Sequence, residues 1–140
     1  MEDIELQLIG EPHIHVRTVL PSDSDKEAMD KVKFPFVACT RSTLIVKTNG
    51  KEYIILAPNG TKYDGASIPF GLGKGNTKLH VAALFHDLIC IDKSLVDYNR
   101  NLSSTIYYEL LVMHKLPKWR AKIQYYAVDT WQRLQKGWKC

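Results

Sequence analysis

The stretch Ser42-Thr43-Leu44-Ile45-Val46-Lys47-Thr48-Asn49-Gly50-Lys51-Glu52-Tyr53-Ile54-Ile55-Leu56-Ala57 decides the fold class. Two runs of β-branched, aliphatic and aromatic residues flank Asn49-Gly50, and Asn-Gly supplies the positive φ angles of a type I′ turn. Residues 43–57 therefore read as a β-hairpin. Working upstream, Phe34–Cys39 reads as a further strand in which Pro35, unable to donate to a ladder, marks an edge or a start. Ile14–Leu20 is a strand by composition, and Pro21-Ser22-Asp23-Ser24-Asp25 is a loop. Downstream, Pro58-Asn59-Gly60 is a second turn, and Thr61-Lys62-Tyr63 extends the meander.

After Tyr63 the character changes. Residues 64–76 are too glycine-rich for a regular element. From Thr77 the chain turns helical and apolar nearly all round, as in a helix buried in a core. A second helix is expected from Ser94 or Asn101 to His114, with Leu102, Ile106, Leu110 and Met113 on one face. Pro117 suits the first turn of a third. There Trp119, Ile123, Tyr126, Ala127, Trp131 and Leu134 recur at three- and four-residue intervals. The expected architecture is α+β, a small antiparallel sheet in the N-terminal half packed against about three C-terminal helices. One domain, 1–140, accommodates an acidic and partly irregular segment 1–30, strands in 34–63, a loop in 64–76 and helices in 77–138.

Composition agrees. The 140 residues are 45% hydrophobic and 24% charged, which is globular and not disordered. No apolar run approaches the roughly 20 residues that cross a bilayer. Met1–Gly10 is acidic and lacks the basic start of a secretory signal, so the expected location is the virion or the host cytoplasm. Cys39, Cys90 and Cys140 form neither a disulfide framework nor a zinc spacing, and reduced thiols are expected. Charge is uneven: Glu2, Asp3, Glu5, Glu11, Asp23, Asp25, Glu27 and Asp30 crowd the first thirty residues. Lys115, Lys118, Arg120, Lys122, Arg133, Lys136 and Lys139 crowd the last twenty-six. The basic helix is expected to dock on a protein, self or a virion component, through its aromatic residues. Nucleic acid is the alternative partner, and none of these features asks for a membrane.

Four residues carry the candidate chemistry. Asp64 and Ser67 sit beside a tight turn at Gly65, where they bind a metal or ligand or form an Asx turn. His86 and Asp87 lie about 100° apart on the buried helix and flank one pocket. A buried carboxylate needs a cation, a metal or several donors. Imidazole and carboxylate together suit a divalent ion, with Asp64, His86 and Asp87 as ligands and Asp92, Asp97 and His114 as further donors. Cys90, one turn after His86, is placed for a Cys–His pair, although a cysteine there also serves as a small apolar residue. No P-loop, dinucleotide fingerprint or serine-hydrolase elbow is present.

Asp64-Gly65-Ala66-Ser67-Ile68-Pro69, followed by Ala82-Ala83-Leu84-Phe85-His86-Asp87-Leu88, resembles the D-G-A-S-[IV]-P … A-A-x-x-H-D pattern of a phage and prophage family of unknown function. The likeness covers roughly Phe34 to Arg133, including Arg100 before a helix and Tyr125 to Val128. It implies Asp64, Ser67, His86, Asp87 and Arg100 as shared polar residues. The family's aspartate shortly after the arginine is missing from Asn101-Leu102-Ser103-Ser104. Two expectations result. One is a phage structural or accessory protein in which these residues form a buried polar brace. The other is a divalent-metal hydrolase with Asp64, His86 and Asp87 as ligands and a metal-activated water as nucleophile.

Overall fold

The structure is a computed structural model and describes residues 1–64, 77–135 and 137–138. Its strands are β1 (Glu5–Ile9), β2 (Ile14–Val16), β3 (Phe36–Ala38), β4 (Ser42–Thr48), β5 (Lys51–Ala57) and β6 (Lys62–Tyr63). Its helices are α1 (Asp25–Lys33), α2 (Thr77–Ile91), α3 (Arg100–Met113) and α4 (Lys118–Leu134), with a short 3-10 turn at Lys93–Val96 between α2 and α3. The fold is α+β.

The strands divide into two antiparallel sheets, ordered β1-β4-β5 and β2-β3-β6, where one sheet was expected. Ser42 pairs with Ala57 and Thr48 with Lys51, the register that a two-residue turn imposes. Asn49 (φ 48°) and Gly50 (φ 74°) both occupy the left-handed region. Along β4 the side chains alternate, so Ser42, Leu44, Val46 and Thr48 are buried while Lys47 faces out. Gly10, at φ 79°, ends β1, and a Cβ there would lie 2.9 Å from the Arg41 carbonyl oxygen.

Three details differ from expectation. The strand foreseen at Ile14–Leu20 shortens to three residues. β1 pairs with β4 along its whole length. The composition of Pro21–Asp25 conceals a helix start: Ser24 caps α1 by accepting from the Glu27 N–H. The signal was present as Ser24-Asp25-Lys26-Glu27, a capping-box pattern. α1 buries no residue. Charged contacts tie it down, with Asp30 between Arg17 and Lys62 and Asp23 beside Lys31.

The core runs from Phe36, Ala38 and Tyr63 of one sheet and Leu44, Val46 and Ile55 of the other through α2 to α3 and α4. Within α2, Leu79, Val81 to Phe85 and Ile89 are buried, as its all-round apolarity implies. α4 departs from the amphipathic expectation. Its inward face is Ala121, Tyr125, Val128, Asp129 and Gln132. The stripe Trp119, Ile123, Tyr126, Trp131 and Leu134 is exposed. Among the described residues, no helix is long and apolar enough to cross a membrane.

Candidate functional site

The centre of α2 presents two polar side chains in an otherwise apolar helix, and the structure sends them in different directions. Asp87, 8% exposed, lines a cleft of about 140 Å³ together with Asp64, Lys62, Tyr63 and Cys90. Its charge reaches two phenols: burial first, and the Asp87 carboxylate second, raise the Tyr63 and Tyr107 hydroxyls well above the ordinary tyrosine range. About two helical turns earlier, His80 meets the Tyr63 hydroxyl at 3.2 Å through Nδ1 and packs edge-on against Phe36. Asp64 and Asp87 thus share a cleft between the β6 end and α2.

His86 turns into the helices instead. It is 2% exposed, its ring centroid lies 5.3 Å from that of Tyr107, and burial pushes its pKa down to about 4. The Gln132 side-chain amide donates from Nε2 to His86 Nε2 at 2.8 Å. An imidazole that accepts at Nε2 holds its proton at Nδ1, which here faces Cys90 Sγ at 3.7 Å. The ring is therefore neutral in this arrangement.

From Gln132 a polar chain continues across three helices. Ser104 Oγ, fully buried on α3, lies 3.3 Å from Gln132 Oε1 and 2.9 Å from Asp129 Oδ1. A hydroxyl has one proton, and the shorter contact to a carboxylate is the stronger bond, so Ser104 donates to Asp129. Arg100, the first residue of α3, donates from Nη1 to the same Asp129 Oδ1 and to the Asp129 carbonyl. Arg100 and Ser104 of α3 both bond Asp129 of α4, and Gln132 of α4 bonds His86 of α2, so side chains alone tie the three helices together. Sequence reasoning found Arg100 and His86 and missed the residues that hold them. The carboxylate that pairs with Arg100 comes from Asp129 on α4, twenty-five residues further on than Ser104.

The other expected donors are engaged in the scaffold. Asp92 accepts from the Ser94 N–H at the 3-10 turn, and Asp97 accepts from the Tyr53 hydroxyl. His114 bonds Glu11 at 2.6 Å and the Leu110 carbonyl at 2.8 Å. Among the described residues, no group of three His, Cys, Asp or Glu side chains is placed to hold one metal ion. Asp64 and Asp87 come together, and His86 does not join them. Ser67 lies outside the described residues. Cys90 does adjoin His86, but it is disulfide-bonded, which corrects the expectation of reduced thiols; Cys39 is free. A sulfur in a disulfide offers no thiolate to attack a substrate.

A family model described as a protein of unknown function (DUF1353) matches residues 40–128, more than half of the chain. The chain belongs to the DUF1353 family. No curated protein and no solved structure matches it. The DUF1353 span takes in Asp64, His86, Asp87, Arg100 and Ser104. It stops at 128, one residue before the carboxylate that holds Arg100 and four before the amide that holds His86.

Proposed function

We propose that this DUF1353 chain is a phage-encoded structural or accessory protein, acting in the virion or the host cytoplasm, whose His86-to-Arg100 polar chain is a brace and not catalytic machinery. The observation that carries this reading is His86. A general base or metal ligand must reach a substrate or an ion, and this imidazole is sealed among α2, α3 and α4 with Nε2 already accepting from Gln132. Buried polar pairs such as Gln132–His86 and Arg100–Asp129–Ser104 specify a packing, because each member is costly to leave unpaired. The phage association rests on the resemblance of the Asp64–Pro69 and Ala82–Leu88 motifs.

The hydrolase reading retains one favourable observation, the shared cleft of Asp64 and Asp87. Two carboxylates suit a hard divalent cation, whereas His86 lies buried with Nε2 accepting from Gln132, which counts against Asp64, His86 and Asp87 as one three-ligand centre.

A mutational cycle on His86 and Gln132 tests the brace. His86→Leu and Gln132→Leu should each destabilise by about 1–3 kcal/mol, the cost of stranding a buried polar group, while the double variant should recover part of the loss. Additive losses would remove the brace. Calorimetric titration with Mg²⁺, Mn²⁺ and Zn²⁺ tests the alternative. Stoichiometric binding that is lost in both Asp64→Asn and Asp87→Asn would favour the hydrolase.

A further inference from the structure

Among the described residues, two apolar surfaces stand exposed, one on α4 and one on the β1-β4-β5 sheet. On α4, Trp119, Ile123, Tyr126 and Leu134 are 58–73% exposed and recur at spacings of four, three and eight, which keeps them on one side of the helix. Trp131 flanks them. This side is opposite the inward face of Tyr125, Val128, Asp129 and Gln132, so α4 is apolar on both sides. The cations beside the outer stripe, Lys118, Arg120, Lys122 and Arg133, are all exposed. The one acid of α4, Asp129, is turned inward onto Arg100, so apart from Glu109 of α3, which lies near Lys118, the border of the stripe is positive.

The second surface is the outer face of the β1-β4-β5 sheet. Strand register places Gln7, Ile45 and Ile54 in one cross-strand row and Ile9, Thr43 and Leu56 in the next. Ile9, Ile54 and Leu56 are 51%, 59% and 42% exposed. The adjoining row is Glu5, Lys47 and Glu52, and Asp3 is exposed just before β1. This apolar patch has a net negative border: three carboxylates against Lys47 and the exposed Arg41 just before β4. Exposed apolar residues scattered singly need no explanation, but contiguous rows with a charged rim mark contact surfaces.

We propose that these two surfaces are the halves of one heterologous interface, the α4 stripe of one copy docking on the outer sheet face of a second copy. Charge selects this occupant. Stripe against stripe would oppose four cations with four, whereas stripe against sheet opposes them to carboxylates, and complementary rims fix orientation and speed encounter. The two surfaces differ, so each copy keeps one free after docking, and the assembly grows head to tail into a ring or a filament. This inference is independent of the brace, since none of its residues belongs to the polar chain.

Sedimentation velocity of the full chain over a concentration series provides the test. Wild type should form species larger than a dimer at low ionic strength, and the mean mass should fall as salt screens the rims. Ile123→Glu and Ile54→Glu change exposed side chains, so both should keep the wild-type circular dichroism spectrum and melting midpoint. Each alone should be monomeric. An equimolar mixture of the two should form a capped one-to-one dimer, because an intact stripe on one then meets an intact sheet face on the other. A wild-type monomer at every concentration and salt would overturn the proposal. So would assembly that survives Ile54→Glu, since the stripe would then be meeting another surface, or retention on DNA lost in Ile123→Glu without self-association.

Discussion

A histidine held neutral by burial makes folding depend on pH, and His86 does so with a definite sign. Its pKa is about 4 in the folded chain against 6.5 for an unperturbed imidazole, and burial is the larger cause. Above pH 6.5 the ring is neutral in both states and its contribution is fully present. As pH falls below 6.5 the unfolded chain takes up a proton that the folded chain refuses, so stability declines until about pH 4. That gap corresponds to a loss of about 3 kcal/mol. Urea unfolding at pH 7 and pH 4.5 should show most of this loss, and His86→Gln should flatten the difference between the two. An unchanged pH dependence in the variant would place the effect elsewhere. Arg100 is a second residue-scale case. Arg100→Ala leaves the Asp129 carboxylate largely buried without its cation and should cost about 3 kcal/mol in thermal or urea unfolding, with Asp129→Asn smaller. A loss below about 1 kcal/mol would mark the pair as solvent-screened. His86 and Asp87 were legible as exceptions in an apolar helix. Their different partners were not, because position on a helix fixes an angle but not which neighbour occupies it.

Elements show where periodicity misleads. The Asn49-Gly50 hairpin was readable because turn and strand signals agree over sixteen residues, and no other local structure satisfies both. α4 was harder. Its aromatic stripe has the better helical spacing, yet the core receives the face with Asp129 and Gln132. Burial of that face is made favourable by Arg100, Ser104 and His86, which lie on other helices and are invisible to a pattern confined to residues 118–134. The split into two sheets was illegible for a related reason: it depends on which strands pair across distance. Gly10 and Gly50 give an element-scale prediction. Both have positive φ, and Gly50→Ala should cost about 1 kcal/mol because nothing lies near its new Cβ. Gly10→Ala adds a close approach to the Arg41 carbonyl, so it should cost at least about 2 kcal/mol, read by the same urea midpoint comparison. Equal costs would mean that the β1–β4 junction relaxes freely.

At the scale of the molecule, the question is whether two three-stranded sheets and the helical layer unfold together. Each sheet is small, and a few strands need a packed apolar face to be stable. Here both sheets use the same one: Phe36, Ala38 and Tyr63 from one and Leu44, Val46 and Ile55 from the other belong to a single cluster with α2, α3 and α4. Neither sheet has a core of its own to retain once the helices leave. Unfolding should therefore be one cooperative transition, with far-ultraviolet circular dichroism and tryptophan fluorescence giving the same midpoint. Leu44 in the β4 layer and Leu110 in α3 are both fully buried, so Leu44→Ala and Leu110→Ala should each cost about 3–5 kcal/mol. The decisive comparison is between probes, not between variants. If the core is shared, damage on the sheet side must lower the helical signal's midpoint as far as it lowers that of the whole chain, and damage in α3 must do the same to the strands. Hydrogen exchange resolved by residue would read this directly. A Leu44→Ala chain whose α3 and α4 amides keep wild-type protection while β4 and β5 exchange would show two cooperative units, and the single core would have to be given up.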